Sequence, residues 1–300
     1  MELREPKAKK QCRISEDSVL PIILKKDGSV KKTLGYFNGF SVVINDPNDM
    51  KTVISKGYFG KARFSRSYPQ FNKTETEILR HRQFVNRNST FDKFTDENRP
   101  RKVIVLPDSD SDNEEYFTNL QPKYEMDRSG QLETVWLGLE EAFFLNNAIK
   151  CLDISFNNKL LSSQELWELF QTKQHNFVRN YIVYFYYRAK NWVVKPGIKF
   201  GGDFMLYKQG PPFYHASYVV VIEVVDENSK RNEELTNRAM DSISILGLNR
   251  LCETSGKELL ICTLRWPENN ILSFDNFSQI KVQEVLVRRW IASQERDADS

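Results

Sequence analysis

The spacing of apolar and aromatic positions changes several times along the chain, and each change predicts a different element. Gly35 to Ile44 carries the β-branched and aromatic bias of strands. Asn45-Asp46-Pro47 then turns the chain, with Asp46 placed to cap a short helix running through Ile54. Two glycines beside two aromatics make Lys56–Lys61 a tight turn. From about Ser67 to Leu132 aliphatic residues thin out, and the acidic run Asp108–Glu115 lies inside this stretch. It reads as a long, largely disordered insertion.

Periodicity resumes near Trp136. Leu137, Leu139, Ala142, Phe143 and Leu145 to Ile149 predict a helix with a wide apolar face. Ser162 and Glu165 spell a capping box ahead of Leu166, Trp167, Leu169 and Phe170. A third helix is expected over Asn176 to Lys190, with Phe177, Tyr181, Tyr184 and Phe185 on one stripe that reads as core. After Trp192 the period becomes strand-like. Strands are expected over Lys199–Tyr207, Ala216–Val225, Lys257–Arg265 and Lys281–Ala292, with a helix through Leu235, Ala239, Ile243 and Leu246.

The fold class is therefore α/β (α+β), a small N-terminal α/β subdomain followed by a C-terminal domain in which a mixed sheet packs against helices. The expected divisions are a disordered basic N-terminus over 1–34, the subdomain over 35–67 and 136–178, the acidic insertion over 68–135, and the C-terminal domain over 179–296.

Composition adds little beyond a globular core: 40% hydrophobic residues, 12% aromatics and a net charge of +3. That balance neither supports nor excludes a nucleic-acid partner, so any RNA surface must come from local clustering of cations. Four scattered cysteines without a Cys-x-x-Cys pair argue against a zinc knuckle and a disulfide framework, and suit a reducing compartment. With no signal-like start and no run of ~20 apolar residues, a soluble intracellular protein is expected. Lys7, Lys9, Lys10 and Arg13 form a basic cluster that reads either as a nuclear-import signal or as a solvated terminus.

Chemistry concentrates around one loop. Gly210, Pro211 and Pro212 interrupt the strand pattern, so Tyr207 and His215 flank a loop between two strands, where a phenol and an imidazole can face one cleft. By itself this pair is a weak signal and reads first as two satisfied structural side chains.

The order of motifs is more telling. Phe-Gly-Gly-Asp-Phe-Met-Leu-Tyr207, Gly-Pro-Pro-Phe-Tyr-His215-Ala-Ser-Tyr218, Ser255-Gly-Lys257-Glu-Leu-Leu-Ile-Cys262 and Lys281-Val-Gln-Glu-Val through Arg289-Trp290 resemble the tRNA-splicing endonuclease family. The likeness is nearest to the catalytic subunit that cuts the 5′ splice site. Lys56–Lys61 and Leu137–Phe144 resemble that family's N-terminal subdomain. Asn191 and Phe200 depart from the family pattern, where glycine and tyrosine are common.

The resemblance implies a metal-independent RNA lyase without cofactor. Tyr207 would be general base on a ribose 2′-OH, His215 general acid to the leaving 5′ oxygen, and Lys257 the cation at the phosphate. A cation near Tyr207 is expected to help by lowering the phenol's pKa. Arg250 and Trp290 would sandwich an intron base in trans, while Arg188, Lys190, Lys195 and Lys199 would follow the RNA backbone or form a solvated face.

Implied partners are pre-tRNA, a non-catalytic subunit paired through the C-terminal strand, and a second catalytic heterodimer, in the nucleus. Val103, Ile104, Val105 and Leu106 beside an acidic run resemble a SUMO-interacting motif, or form a chance apolar cluster. Two alternatives stay open: a catalytically silent subunit of the same assembly, and a metal-dependent nuclease using Asp203, Glu223 and Glu258.

Overall fold

The computed structural model describes residues 7–9, 20–24, 26–65, 101–103, 123–125, 132–236, 238–267, 274, 276–277 and 280–289. These fall into two compact units, one of residues 1–61 with 135–300 and one of residues 62–134.

The first unit opens on β1 (Thr33–Phe37) and β2 (Val42–Ile44), an antiparallel hairpin whose Asn38 carboxamide accepts from the amides of Phe40 and Ser41. Strand β1 thus begins two residues before the expected Gly35. Helix α1 (Pro47–Ser55) starts as anticipated. The Asp46 carboxylate accepts from the amides of Asn48 and Asp49, both at 2.9 Å, and Pro47 occupies a first-turn position needing no donor. Strand β3 (Lys61–Ala62) leads out of this unit.

The second unit contains the antiparallel pair β4 (Arg101–Val103) and β5 (Lys123–Glu125), both inside the expected insertion. At its base the buried Glu133 carboxylate accepts from the Phe64 amide at 3.0 Å, the Ser65 amide at 2.9 Å and the Ser65 hydroxyl at 2.6 Å. The acidic run Asp108–Glu115 and three residues of the apolar patch, Ile104 to Leu106, lie outside the described residues.

Back in the first unit, β6 (Val135–Leu137) pairs with β2. Leu137 is therefore a strand residue, and α2 (Leu139–Phe143) begins two residues later than its periodicity predicts, passing into a wider π turn over Phe144–Ala148. Strands β7 (Leu152–Phe156) and β8 (Lys159–Leu161) extend the order to β6-β2-β1-β7-β8, with β1 and β7 parallel. Helix α3 (Ser163–Lys173) has the expected capping box: the Ser162 hydroxyl accepts from the Glu165 amide, and the Glu165 carboxylate accepts from the Ser162 amide at 2.8 Å. Helix α4 (Phe177–Ala189) buries Phe177, Tyr181 and Tyr184 among Phe143, Trp167 and Phe170, so the aromatic stripe is core.

The second sheet runs β13-β12-β11-β10-β9, from β9 (Val193–Pro196), β10 (Phe204–Tyr207), β11 (Tyr218–Val225), β12 (Glu258–Arg265) and β13 (Lys281–Val287). Strands β11 and β12 are parallel and the other pairs antiparallel. Helices cover both faces, which explains why β11 reads as a nearly unbroken apolar run. On one face Val219, Val221, Leu259 and Ile261 meet α5 (Ser242–Thr254) through Ile245, Leu248 and Cys252. On the other, the Tyr184 ring of α4 packs on Phe204, the residue opposite Val220.

Three expectations are corrected here. The strand expected from Lys199 is a 3-10 turn over Ile198–Phe200 followed by two glycines, and only Phe204 onward is strand. The helix expected through Leu235 starts at Ser242. Asp241 caps it, and the preceding segment is committed to the buried Arg179, which donates to the Leu235 carbonyl. Its apolar stripe is also rotated: Ile243 and Leu246 are 83% and 66% exposed, while Ile245, Leu248 and Cys252 face the sheet. Finally, the last strand ends at Val287, five residues before the expected Ala292.

Candidate active site

Register brings the three candidate residues to one end of adjacent strands. Leu206 lies opposite Tyr218 across β10–β11, and Tyr218 lies opposite Glu258 across β11–β12. Tyr207 follows Leu206, Lys257 precedes Glu258, and His215 lies three residues before Tyr218. Neighbouring strands are ~4.8 Å apart, so a phenol, an imidazole and an ammonium carried on three consecutive strand ends share one sheet edge. Backbone bonds close that edge: the Ser217 amide donates to the Leu206 carbonyl at 2.9 Å, and the Glu258 amide to the Ser217 carbonyl at 3.0 Å.

The glycines of the Phe-Gly-Gly run have a steric reason. A Cβ on Gly202 would lie 2.3 Å from Val219 Cγ1 and 2.8 Å from the Val220 carbonyl oxygen, so the chain enters β10 only with no side chain there. Gly210 does the same for the His215 loop. Its φ is +135°, and a Cβ would lie 2.4 Å from the Tyr58 ring, which also meets Phe213 edge-on. The N-terminal turn at Lys56–Lys61 therefore supports the loop that carries His215, a contact that strand and helix periods do not signal.

Tyr207 is half-buried, and burial raises its pKa above the ordinary phenol value with no opposing cation. The expected assistance from Lys257 is thus absent among the described residues. Lys257 is itself partly buried: its ammonium donates to the Ser255 carbonyl at 3.0 Å and stands 4.0 Å over the Phe200 ring. Burial lowers its pKa, partly offset by the Cys252 thiol. Phe200, noted only as a departure from the family pattern, is thus the aromatic face over which the Lys257 ammonium sits. The His215 imidazole is exposed.

The wider cation set divides. Arg188 is buried; its guanidinium lies 4.0 Å over the Phe59 ring and donates to the Tyr184 hydroxyl at 2.9 Å. Lys195 donates to the Gly60 carbonyl at 2.7 Å and pairs with Glu141 at 3.3 Å. Both tie the subdomain to the rest of the unit, through Phe59 and through Gly60 and Glu141. Lys190 is ion-paired with Glu284 at 2.8 Å, and Lys199 is exposed. Arg250 is exposed on α5, and Trp290 lies outside the described residues.

The carboxylates of the metal reading are each engaged elsewhere. Asp203 pairs with Arg179 at 3.1 Å and accepts from the Ile222 amide at 2.8 Å. Glu223 pairs with Arg231 at 3.1 Å, and Glu258 with Arg288 at 2.9 Å.

Residues 177–270 match the family described as tRNA intron endonuclease, catalytic C-terminal domain, a span that includes Tyr207, His215 and Lys257. The chain is also 43% identical over 168 residues to the tRNA-splicing endonuclease subunit Sen2 of Gallus gallus, covering 55% of this chain and 36% of that protein. Residues 177–270 thus carry the catalytic domain of the tRNA intron endonuclease family. Sen2 of Saccharomyces cerevisiae is 31% identical over 189 residues, covering 57% of this chain and 46% of its own. A probable sen2 subunit of Schizosaccharomyces pombe is 25% identical over 331 residues, covering 86% and 85%. The family domain coincides with α4 through β12, the elements that build the sheet edge. Against the Gallus gallus relative, this chain spans about a third of the protein's length.

Proposed function

We propose that this chain is the catalytic subunit of a tRNA-splicing endonuclease that cuts pre-tRNA at the 5′ splice site without a metal. The observation that carries this reading is the convergence of Tyr207, His215 and Lys257 on one edge of the second sheet. Tyr207 Oη takes the proton of the ribose 2′-OH. The freed O2′ attacks the adjacent phosphorus, and the P–O5′ bond breaks as His215 donates a proton to O5′. Lys257 offsets the negative charge growing on the non-bridging oxygens. The products are a 2′,3′-cyclic phosphate and a 5′-OH, and no water is consumed.

The same proposal covers the partners. The β13 edge, with Val285 44% exposed, suits strand addition by a non-catalytic subunit. Arg250, with Trp290 outside the described residues, would stack on an intron base serving a second catalytic heterodimer. Lys199 would contact the RNA backbone. The enzyme acts in the nucleus. A SUMO contact at Val103–Leu106 belongs to the proposal only through its sequence pattern.

The decisive assay is cleavage of an intron-containing pre-tRNA in EDTA by the assembled complex, with the product ends identified. The expected result is a 5′ splice-site cut leaving a cyclic phosphate. A requirement for a divalent ion, or a 3′-OH end, sinks the reading.

The rate should also follow pH in a defined way. The base form of Tyr207 is the phenolate, whose fraction grows with pH until the tyrosine's pKa is passed. Burial raises that pKa, so this gain should not level off below pH ~10. Tyr207→Phe should remove the gain, and a variant whose pH–rate profile matches the parent's would remove Tyr207 as the base.

A further inference from the structure

Residues 7–9 of the basic N-terminal cluster have a place in the fold that neither an import signal nor a solvated tail requires. Lys7–Lys9 lies antiparallel against the catalytic loop, with Ala8 opposite Tyr214. The Lys9 amide donates to the Phe213 carbonyl at 2.7 Å, and the His215 amide donates to the Lys7 carbonyl at 3.1 Å. The Lys9 ammonium reaches the Pro211 carbonyl at 2.5 Å. The segment is thus bonded to Pro211, Phe213 and His215, the length of the loop that carries the general acid. The Lys7 side chain crosses to the next strand end: a Cβ built on Gly256 would meet its ammonium at 3.9 Å. Gly256 directly precedes Lys257. The Lys7 side chain is otherwise exposed.

We infer that Lys7–Lys9 is a strap belonging to the RNA-cleaving site, in which the backbone fixes the His215 loop and the Lys7 ammonium binds a phosphate of the RNA next to the scissile one. The inference rests on the function proposed above and deepens it. Lys7 and Lys257 both reach the Ser255–Gly256 turn, so a phosphodiester at that turn meets two cations. The Lys7 carbonyl gives the His215 amide a partner that this ten-residue loop does not itself supply. Holding a general acid within a fraction of an ångström matters because small misplacements cost rate steeply. Lys7 is then a binding residue, and Lys9, acting through the loop, a positioning residue.

The test uses the assembled complex and an intron-containing pre-tRNA, with Lys7→Ala, Lys7→Arg and Lys9→Pro in this chain. Lys7→Ala should raise KM on the order of 10-fold, more than it lowers kcat, and flatten the dependence of log kcat/KM on log salt by about 0.7 to 1. Lys7→Arg should restore both. Lys9→Pro deletes the amide that bonds Phe213 and should lower kcat by roughly 10- to 100-fold while leaving KM near its parent value. If Lys7→Ala keeps the parent KM and salt slope, the phosphate contact is wrong. If Lys9→Pro keeps the parent kcat, the loop-positioning role is wrong. A parent complex that cuts in EDTA and fails with His215→Ala keeps the proposed function whatever the strap variants do. A parent that does not cut overturns both.

Discussion

Replacing His215 by alanine is expected to abolish the 5′ splice-site cut, with a rate loss of roughly 100- to 10,000-fold, while the 3′ cut continues. The effect is chemical rather than structural. The imidazole is exposed, so truncation opens no cavity. The loop is shaped by backbone bonds that survive the change: the Phe213 and Tyr214 amides both donate to the Gly210 carbonyl at 3.1 Å, and the His215 amide to Lys7. What is lost is the proton for O5′, and an alkoxide leaving from phosphorus unprotonated is a far poorer leaving group. Resolving the two cuts on one gel in EDTA checks the result. Persistence of the 5′ cut would reduce this chain to a scaffold of the assembly.

The second large effect concerns Asp203, which the metal reading treats as a ligand. Its carboxylate pairs with Arg179, whose side chain is 1% exposed, stands 3.7 Å from Arg238, and accepts the Ile222 amide. Burial pushes the Arg179 pKa down, and the Asp203 charge opposes that shift. Asp203→Ala therefore strands a buried cation and should destabilise the fold by about 3–5 kcal/mol. Urea denaturation of the complex, followed by tryptophan fluorescence, reads this as a lower midpoint. A variant as stable as its parent that loses cleavage and regains it with added divalent ion would restore Asp203 as a metal ligand.

Much of this architecture was legible from local signals because each signal has a local cause. The Asp46 cap, the Ser162–Glu165 box and the aromatic face of α4 act within one or two turns of chain. The candidate chemistry rests on the order of motifs more than on the identity of any one residue. Tyr207, His215 and Lys257 occur in motifs whose succession is specific, although any one of them reads as a structural residue.

The errors share one origin. Leu137 was assigned to a helix by period, yet pairing with Val42 makes it a strand residue. Leu235 and Ala239 fit a helical stripe, but the burial of Arg179 recruits the Leu235 carbonyl and delays the helix to Asp241. Arg188 and Lys195 look like surface cations on charge alone. Phe59, Gly60 and Glu141 lie far away in sequence, and their proximity turns both cations into internal ties.

The sequence by itself determined the α/β class, the caps and the core stripe of α4, because these depend on residue type and short-range spacing. The candidate triad came only from the resemblance of its motifs to a known family. Only the tertiary structure decided that β10, β11 and β12 lie side by side, that Tyr58 supports the Gly210 turn, and that Lys7–Lys9 straps the His215 loop. Those contacts join segments separated by tens to hundreds of residues. Their partners are selected by the packing of whole elements, for which no period along the chain provides a signal.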